Sequence, residues 1–133
     1  MYYCPRGRSP ASRGLPVLTL LFFGATVSAD ESAEGQVAFN THCRTCHSVE
    51  EGDNRLGPNL HDIVGRKAGE ANGSANYSQA LTESGITWDE KTLDAFIAHP
   101  DKVVPGNNMK PYQGIPDAAT RKTIIEYLSS APE

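Results

Sequence analysis

The segment THCRTCHS, residues 41 to 48, sets two thiols three residues apart with an imidazole directly after the second. Cys43, Cys46 and His47 thus form C-x-x-C-H, a pattern with three readings: a redox dithiol, half of a zinc site, or the covalent seat of a c-type haem. On one helical turn Cys43 faces the same way as Cys46 (i, i+3) and His47 (i, i+4). That suits a flat macrocycle held along one edge by two thioethers, with the imidazole reaching the iron from one side. A redox dithiol of the thioredoxin kind calls for a preceding strand in a βαβ unit, and none is legible. A structural zinc site wants four ligands. His61 or His99 could join the first three, but no second ligand pair stands at the usual spacing. These contrasts favour haem attachment, with the dithiol and zinc as alternatives.

The N-terminus reads as a leader rather than as fold. Arg6, Arg8 and Arg13 are followed by the apolar run LPVLTLLFFGATV (residues 15 to 27) and the small-residue end VSA. A charged region, a short apolar region and an A-x-A-like end describe a secretory signal peptide. The expectation is cleavage between Ala29 and Asp30, leaving a domain of residues 30 to 133 exported to the periplasm. The alternative is an uncleaved membrane anchor, although the run is shorter than the ~20 residues a spanning helix needs. Without the leader, nine basic residues face 16 acidic ones, a net charge of −7. So acidic a surface argues against nucleic acid and anionic membrane as partners. Cys4 leaves with the leader, so Cys43 and Cys46 are the remaining thiols. Two free neighbouring thiols would not persist well in an oxidising compartment. The remaining domain is small, rich in turn residues and short of core, and gains much from a large apolar group at its centre.

The expected architecture is all-α. Residues 31 to 43 can form a helix, with Gly35 where another helix approaches closely. Residues 48 to 76 read as loops, and 77 to 84 as a short helix. Thr87 offers an N-cap, with Glu90 as its capping-box partner. The helix that follows carries Leu93, Phe96 and Ile97 on one face and should stop at Pro100. Residues 101 to 116 read as irregular backbone. Asp117 can cap a last helix through Ser129. The total is three main helices, one or two short ones, long loops and no strand of note.

A haem iron needs a sixth ligand or an open position. Downstream of the leader the chain has one methionine, Met109, in PGNNMKPY. A lone methionine is usually filler; here Pro105, Gly106 and Pro111 pin its loop, and it becomes the best candidate. Met/His ligation raises the reduction potential and suits electron transfer. His42, His61 and His99 are weaker ligand candidates.

Taken together, CRTCHSVE, LGPNLHDIVGRKAG, YSQALTESGITWDEKTL, VPGNNM and IIEYL resemble, in order and spacing, the class I cytochromes c of the mitochondrial and bacterial cytochrome c2 type. The resemblance runs from about Gly35 to Leu128. It implies a class I cytochrome c fold around one haem c, with thioethers at Cys43 and Cys46, His47 as proximal ligand and Met109 as distal ligand. It places Pro58 where a backbone carbonyl meets the ligand imidazole. Arg66, Tyr77 and Trp88 match residues that hold the haem propionates. Gly35 and Phe39 match positions that pack against the C-terminal helix near Tyr127. There are departures. Phe96 stands for a common tyrosine near the methionine sulfur, Leu81 for an asparagine near internal water, and Asn107 for a threonine near the inner propionate. The stretch after Met109 is one residue longer than usual, which bears on Tyr112. Asp101 and Asn108 replace docking lysines, while Lys67, Lys91, Lys102 and Lys110 could leave a local positive patch.

The implied function is single-electron carriage between redox proteins by a soluble monomer, without enzymatic activity or a small-molecule substrate. The alternative is a haem peroxidase or gas-sensing module with a labile Met109.

Overall fold

A computed structural model describes residues 29–71 and 76–130; apart from its last residue, Ala29, the signal-peptide reading lies outside them, its apolar run and Cys4 included. Five helices follow in order: α1 (Ala29–His42), α2 (Gln79–Thr82), α3 (Glu90–Ala98), α4 (Pro100–Val103) and α5 (Ala118–Ser130). Among the described residues the extended pairing is limited to one antiparallel bridge, Lys67 with Thr87. No helix among them is long and apolar enough to cross a membrane.

The frame is set by α1 and α5, which pack on each other, while α3 packs on α5 and α4. Gly35 is buried on α1, and a Cβ built there would stand 2.6 Å from Tyr127 Cβ and 3.0 Å from the Thr123 carbonyl. The missing side chain lets the backbones approach. Phe39, one turn on, meets the Tyr127 ring at 5.5 Å between centroids. Beneath them lie Ile124, Ile125 and Leu128 of α5, with Leu93, Phe96 and Ile97 of α3. Ile124 is fully buried, and such burial contributes roughly 1.5–3 kcal/mol. The i, i+3, i+4 spacing had put these α3 residues on one face, and all three are buried.

The start of α3 differs from the sequence expectation. Thr87 is not the N-cap; Asp89 is. Its carboxylate accepts from Thr92 N at 2.7 Å, and Thr92 Oγ1 accepts in return from Asp89 N at 2.8 Å. Backbone pairing displaces the start: Trp88 N donates to the Arg66 carbonyl (2.9 Å) and Gly65 N to the Trp88 carbonyl (2.7 Å), which holds 86–88 extended. The capping box then forms with a threonine at N3.

The other boundaries lie close to expectation. α1 begins at Ala29 and stops one residue before Cys43. Ser78 caps α2, its hydroxyl accepting from Leu81 N. α3 ends before Pro100, but the proline then opens α4 from its first turn, where its missing N–H costs nothing. The stretch read as irregular therefore contains a helical turn. Asp117 caps α5 by accepting from Thr120 N at 2.7 Å, and the helix runs one residue past Ser129.

Candidate functional site

The C-x-x-C-H segment leaves the end of α1 as one further turn. Cys43 N donates to the Phe39 carbonyl at 2.8 Å, and the N–H groups of Cys46 and His47 both reach the Cys43 carbonyl, at 3.0 and 2.9 Å. Both thiols are half-buried and outside any disulfide. Burial, with a smaller push from Cys46, raises the Cys43 thiol to about 12. A redox dithiol needs the opposite, a thiol lowered toward neutrality. No cluster of three or more metal-ligating side chains occurs among the described residues, so the zinc reading gains nothing.

His47 is buried, and its Nδ1 lies 2.7 Å from the Pro58 carbonyl. A carbonyl only accepts, so Nδ1 carries the proton and the free lone pair falls on Nε2. Burial lowers the imidazole pKa, against a smaller upward effect of the Pro58 bond. The ring is therefore neutral near pH 7, as a metal ligand must be. Gly57 lies flat against it: a Cβ there would stand 2.5 Å from Cε1 and 2.9 Å from Nδ1.

The loop behind His47 is fixed from several sides. Gly57 N donates to the Cys46 carbonyl at 2.8 Å and Leu60 N to the Ser48 carbonyl at 2.7 Å. Buried Asn59 donates through its backbone N and its Nδ2 to Asn54 Oδ1, at 2.8 and 2.9 Å. Arg66 closes the loop, with Nη1 on the His61 carbonyl and Nη2 on the Asn59 carbonyl, each at 2.8 Å. Sequence reasoning missed Gly57, Asn54 and Asn59. Only the Gly-Pro step before Asn59 could have signalled a shaped turn.

Arg66, Tyr77 and Trp88 come together. Backbone pairing joins Arg66 to Trp88, and Tyr77 is near enough to Arg66 for the charges to couple. Burial raises the Tyr77 hydroxyl and lowers the Arg66 guanidinium, each partly offset by the other. Trp88 is buried and tilted against Phe96, with centroids 5.0 Å apart. The remaining histidines stay apart. His42 and His99 are exposed, and His61 Nε2 faces Asp62 at 3.4 Å.

Met109 is half-buried against the apolar core. Its N–H donates to Asn107 Oδ1 at 3.0 Å. Beyond it, Tyr112 Oη donates to the Ile97 carbonyl at 2.8 Å and lies near enough to the Cys43 thiol to feel its charge. The methionine loop thus returns to the first cysteine. Gly114 makes the return possible: its φ is +105°, and a Cβ there would stand 2.1 Å from the Ala98 carbonyl. Leu81, at the asparagine-like position, is part of the core. The lysine patch is weaker than expected, because Lys110 pairs with Asp101 and Lys67 with Glu70.

The donor set fits a covalently held haem. Two adjacent thiols stand clear of disulfides, one neutral imidazole has its lone pair on Nε2, and a thioether side chain rests against the same apolar core.

Comparison with known proteins agrees. The Cytochrome c family model matches residues 32–132. Cytochrome c2 of Rhodopila globiformis is 43% identical over 100 residues, covering 75% of this chain and 92% of that protein. Cytochrome c2 iso-2 of Magnetospirillum molischianum is 44% identical over 90 residues, covering 68% and 91%. Among solved structures, cytochrome cH from Methylobacterium extorquens superposes with a TM-score of 0.66 at 43% identity, covering 74% of this chain and 96% of that one. Cys43 and Cys46 are spaced as in the CxxCH motif that holds covalent haem c in this family, and the chain belongs to the cytochrome c family.

Proposed function

We propose that this cytochrome c carries single electrons between redox proteins with its haem iron held by His47 Nε2 and the Met109 thioether. The haem supplies the ferric/ferrous couple, and the polypeptide supplies everything that keeps that couple in place. Cys43 and Cys46 tether the macrocycle so that it cannot dissociate. The bond from His47 Nδ1 to the Pro58 carbonyl fixes the tautomer and ring orientation and raises the basicity of Nε2. That bond is the single observation that carries the reading, because it commits the imidazole to ligation through one nitrogen. The Met109 thioether would hold the iron as well; such Met/His ligation would raise the potential and leave small molecules no open site. Arg66, Tyr77 and Trp88 would hold the haem propionates; a buried carboxylate without such partners would cost several kcal/mol.

Residues 1–29 act as a signal peptide, and residues 30–133 work as a soluble monomer in the periplasm. Donor and acceptor are redox proteins that contact the haem edge, with no nucleic acid, membrane surface or small-molecule substrate involved. A haem peroxidase or gas-sensing role is not favoured, since the relatives are cytochromes c and c2.

Carbon monoxide added to the reduced protein separates the two roles. A carrier with both axial positions filled binds it slowly or not at all at neutral pH. Rapid, saturating binding would establish an open iron and overturn the carrier reading.

A further inference from the structure

The structure assigns Asp101, Asn107 and Asn108 a positioning role: together they clamp the loop that carries Met109 and so restrain displacement of the distal ligand. The inference rests on Met109 being that ligand.

Asn107 and Asn108 use their side chains in opposite directions. Asn107 is 4% exposed. Its Oδ1 accepts from Met109 N at 3.0 Å, while its Nδ2 donates to Asp101 Oδ1 at 2.8 Å and to the Val104 carbonyl at 2.9 Å. A buried amide this fully bonded holds one geometry, because any swing leaves polar atoms without partners. Asp101, at the start of α4, also takes the Lys110 ammonium. The residues two before and one after Met109 therefore converge on one carboxylate. Of the two, the part-buried, charge-assisted bond from Asn107 is the stronger, since the exposed ion pair with Lys110 is screened by solvent.

Asn108 turns outward. Its Nδ2 donates to the Asn76 carbonyl, and its Oδ1 accepts from Ser78 N at 3.1 Å. It thereby ties the loop to the segment that carries Tyr77, whose bonded residues Asn76 and Ser78 lie 32 and 30 positions earlier in the chain. Met109 is thus anchored toward α4 on one side and toward Asn76–Ser78 on the other. For its thioether to leave the iron with the loop, both sets of bonds must break. Residues that would count as docking positions in the resemblance are spent here on holding the ligand loop.

The test is the association of imidazole with the ferric protein, measured in the wild type, Met109→Ala, Asp101→Asn, Asp101→Glu, Asn108→Ala and Asn107→Ala. Asp101 and Asn108 are exposed, so their variants fold even where Asn107→Ala does not. The wild type should bind slowly and Met109→Ala fast. Asp101→Asn and Asn108→Ala should each bind about tenfold faster than wild type, as the loss of one charged or multiply bonded contact predicts, with Asp101→Glu closer to wild type. Amide exchange at Met109 N should speed up in Asp101→Asn by a similar factor. Clamp variants that match the wild type in both readouts, while Met109→Ala opens the site, would overturn the clamp alone. A wild type as fast as Met109→Ala would overturn the ligation on which it rests.

Discussion

Gly35 of α1 lies directly against Tyr127 of α5, so close that an alanine Cβ would stand 2.6 Å from the tyrosine Cβ. The contact fixes how the two terminal helices cross, and the segment bearing Cys43 and Cys46 leaves the end of one of them. In an open helix Gly→Ala would stabilise by about 1 kcal/mol. Here overpacking opposes that gain with about 1–3 kcal/mol, and the neighbour is a β-carbon and a carbonyl that cannot rotate away. Gly35→Ala should therefore lower stability in denaturant unfolding, and Gly35→Val more so. A stabilised Gly35→Ala would mean the helices are not this close.

Gly57 makes the corresponding contact with His47, whose Cε1 would lie 2.5 Å from an added Cβ. Gly57→Ala must push the imidazole, lengthen its bond to the Pro58 carbonyl, or shift the loop. The expected outcome is a changed midpoint potential and reduced visible spectrum with helix content preserved. A variant with wild-type potential would show that the ring has room the geometry denies.

The recognisable parts of the sequence were those whose cause is local. Leu93, Phe96 and Ile97 fall on one face by spacing alone, and Asp117 caps α5 as a short polar side chain before a helix should. The start of α3 was misread because the pairing of Arg66 with Trp88 spans 22 positions and keeps Thr87 extended; no window around Thr87 contains that information. Pro100 ends α3 as its place in the sequence implies, and by the same missing N–H it opens α4. At the site, Cys43, Cys46 and His47 announce their chemistry by spacing, whereas Pro58, Arg66, Tyr77 and Trp88 entered through the family resemblance. The bonds from Asn107 to Asp101 and from Ser78 N to Asn108 are invisible in the sequence, since an asparagine does not reveal its partner.

Acid should loosen the helix starts together. Hydrogen bonds from Thr92 hold the Asp89 carboxyl below its ordinary range, and those from Thr120 do the same for Asp117. Their folded pKa values lie below the unfolded value of about 3.9. The stabilisation is complete above that value and is lost as pH falls through the folded pKa values. The contribution of these two groups to the thermal midpoint should thus be level from pH 7 to 5 and fall away below about pH 4. Asp89→Asn with Asp117→Asn should flatten the part of that fall due to these two groups. An unchanged acid limb in the double variant would contradict their role.

The central claim is that haem is joined to the polypeptide through Cys43 and Cys46. It is tested most directly by acid–acetone extraction of the mature protein, produced in cells competent for haem ligation, followed by intact-mass measurement. The colour should remain with the polypeptide, whose mass should exceed that of the apoprotein by one haem, and Cys43→Ser with Cys46→Ser should lose both. Colour that passes into the acetone, leaving a polypeptide of apoprotein mass, would contradict it.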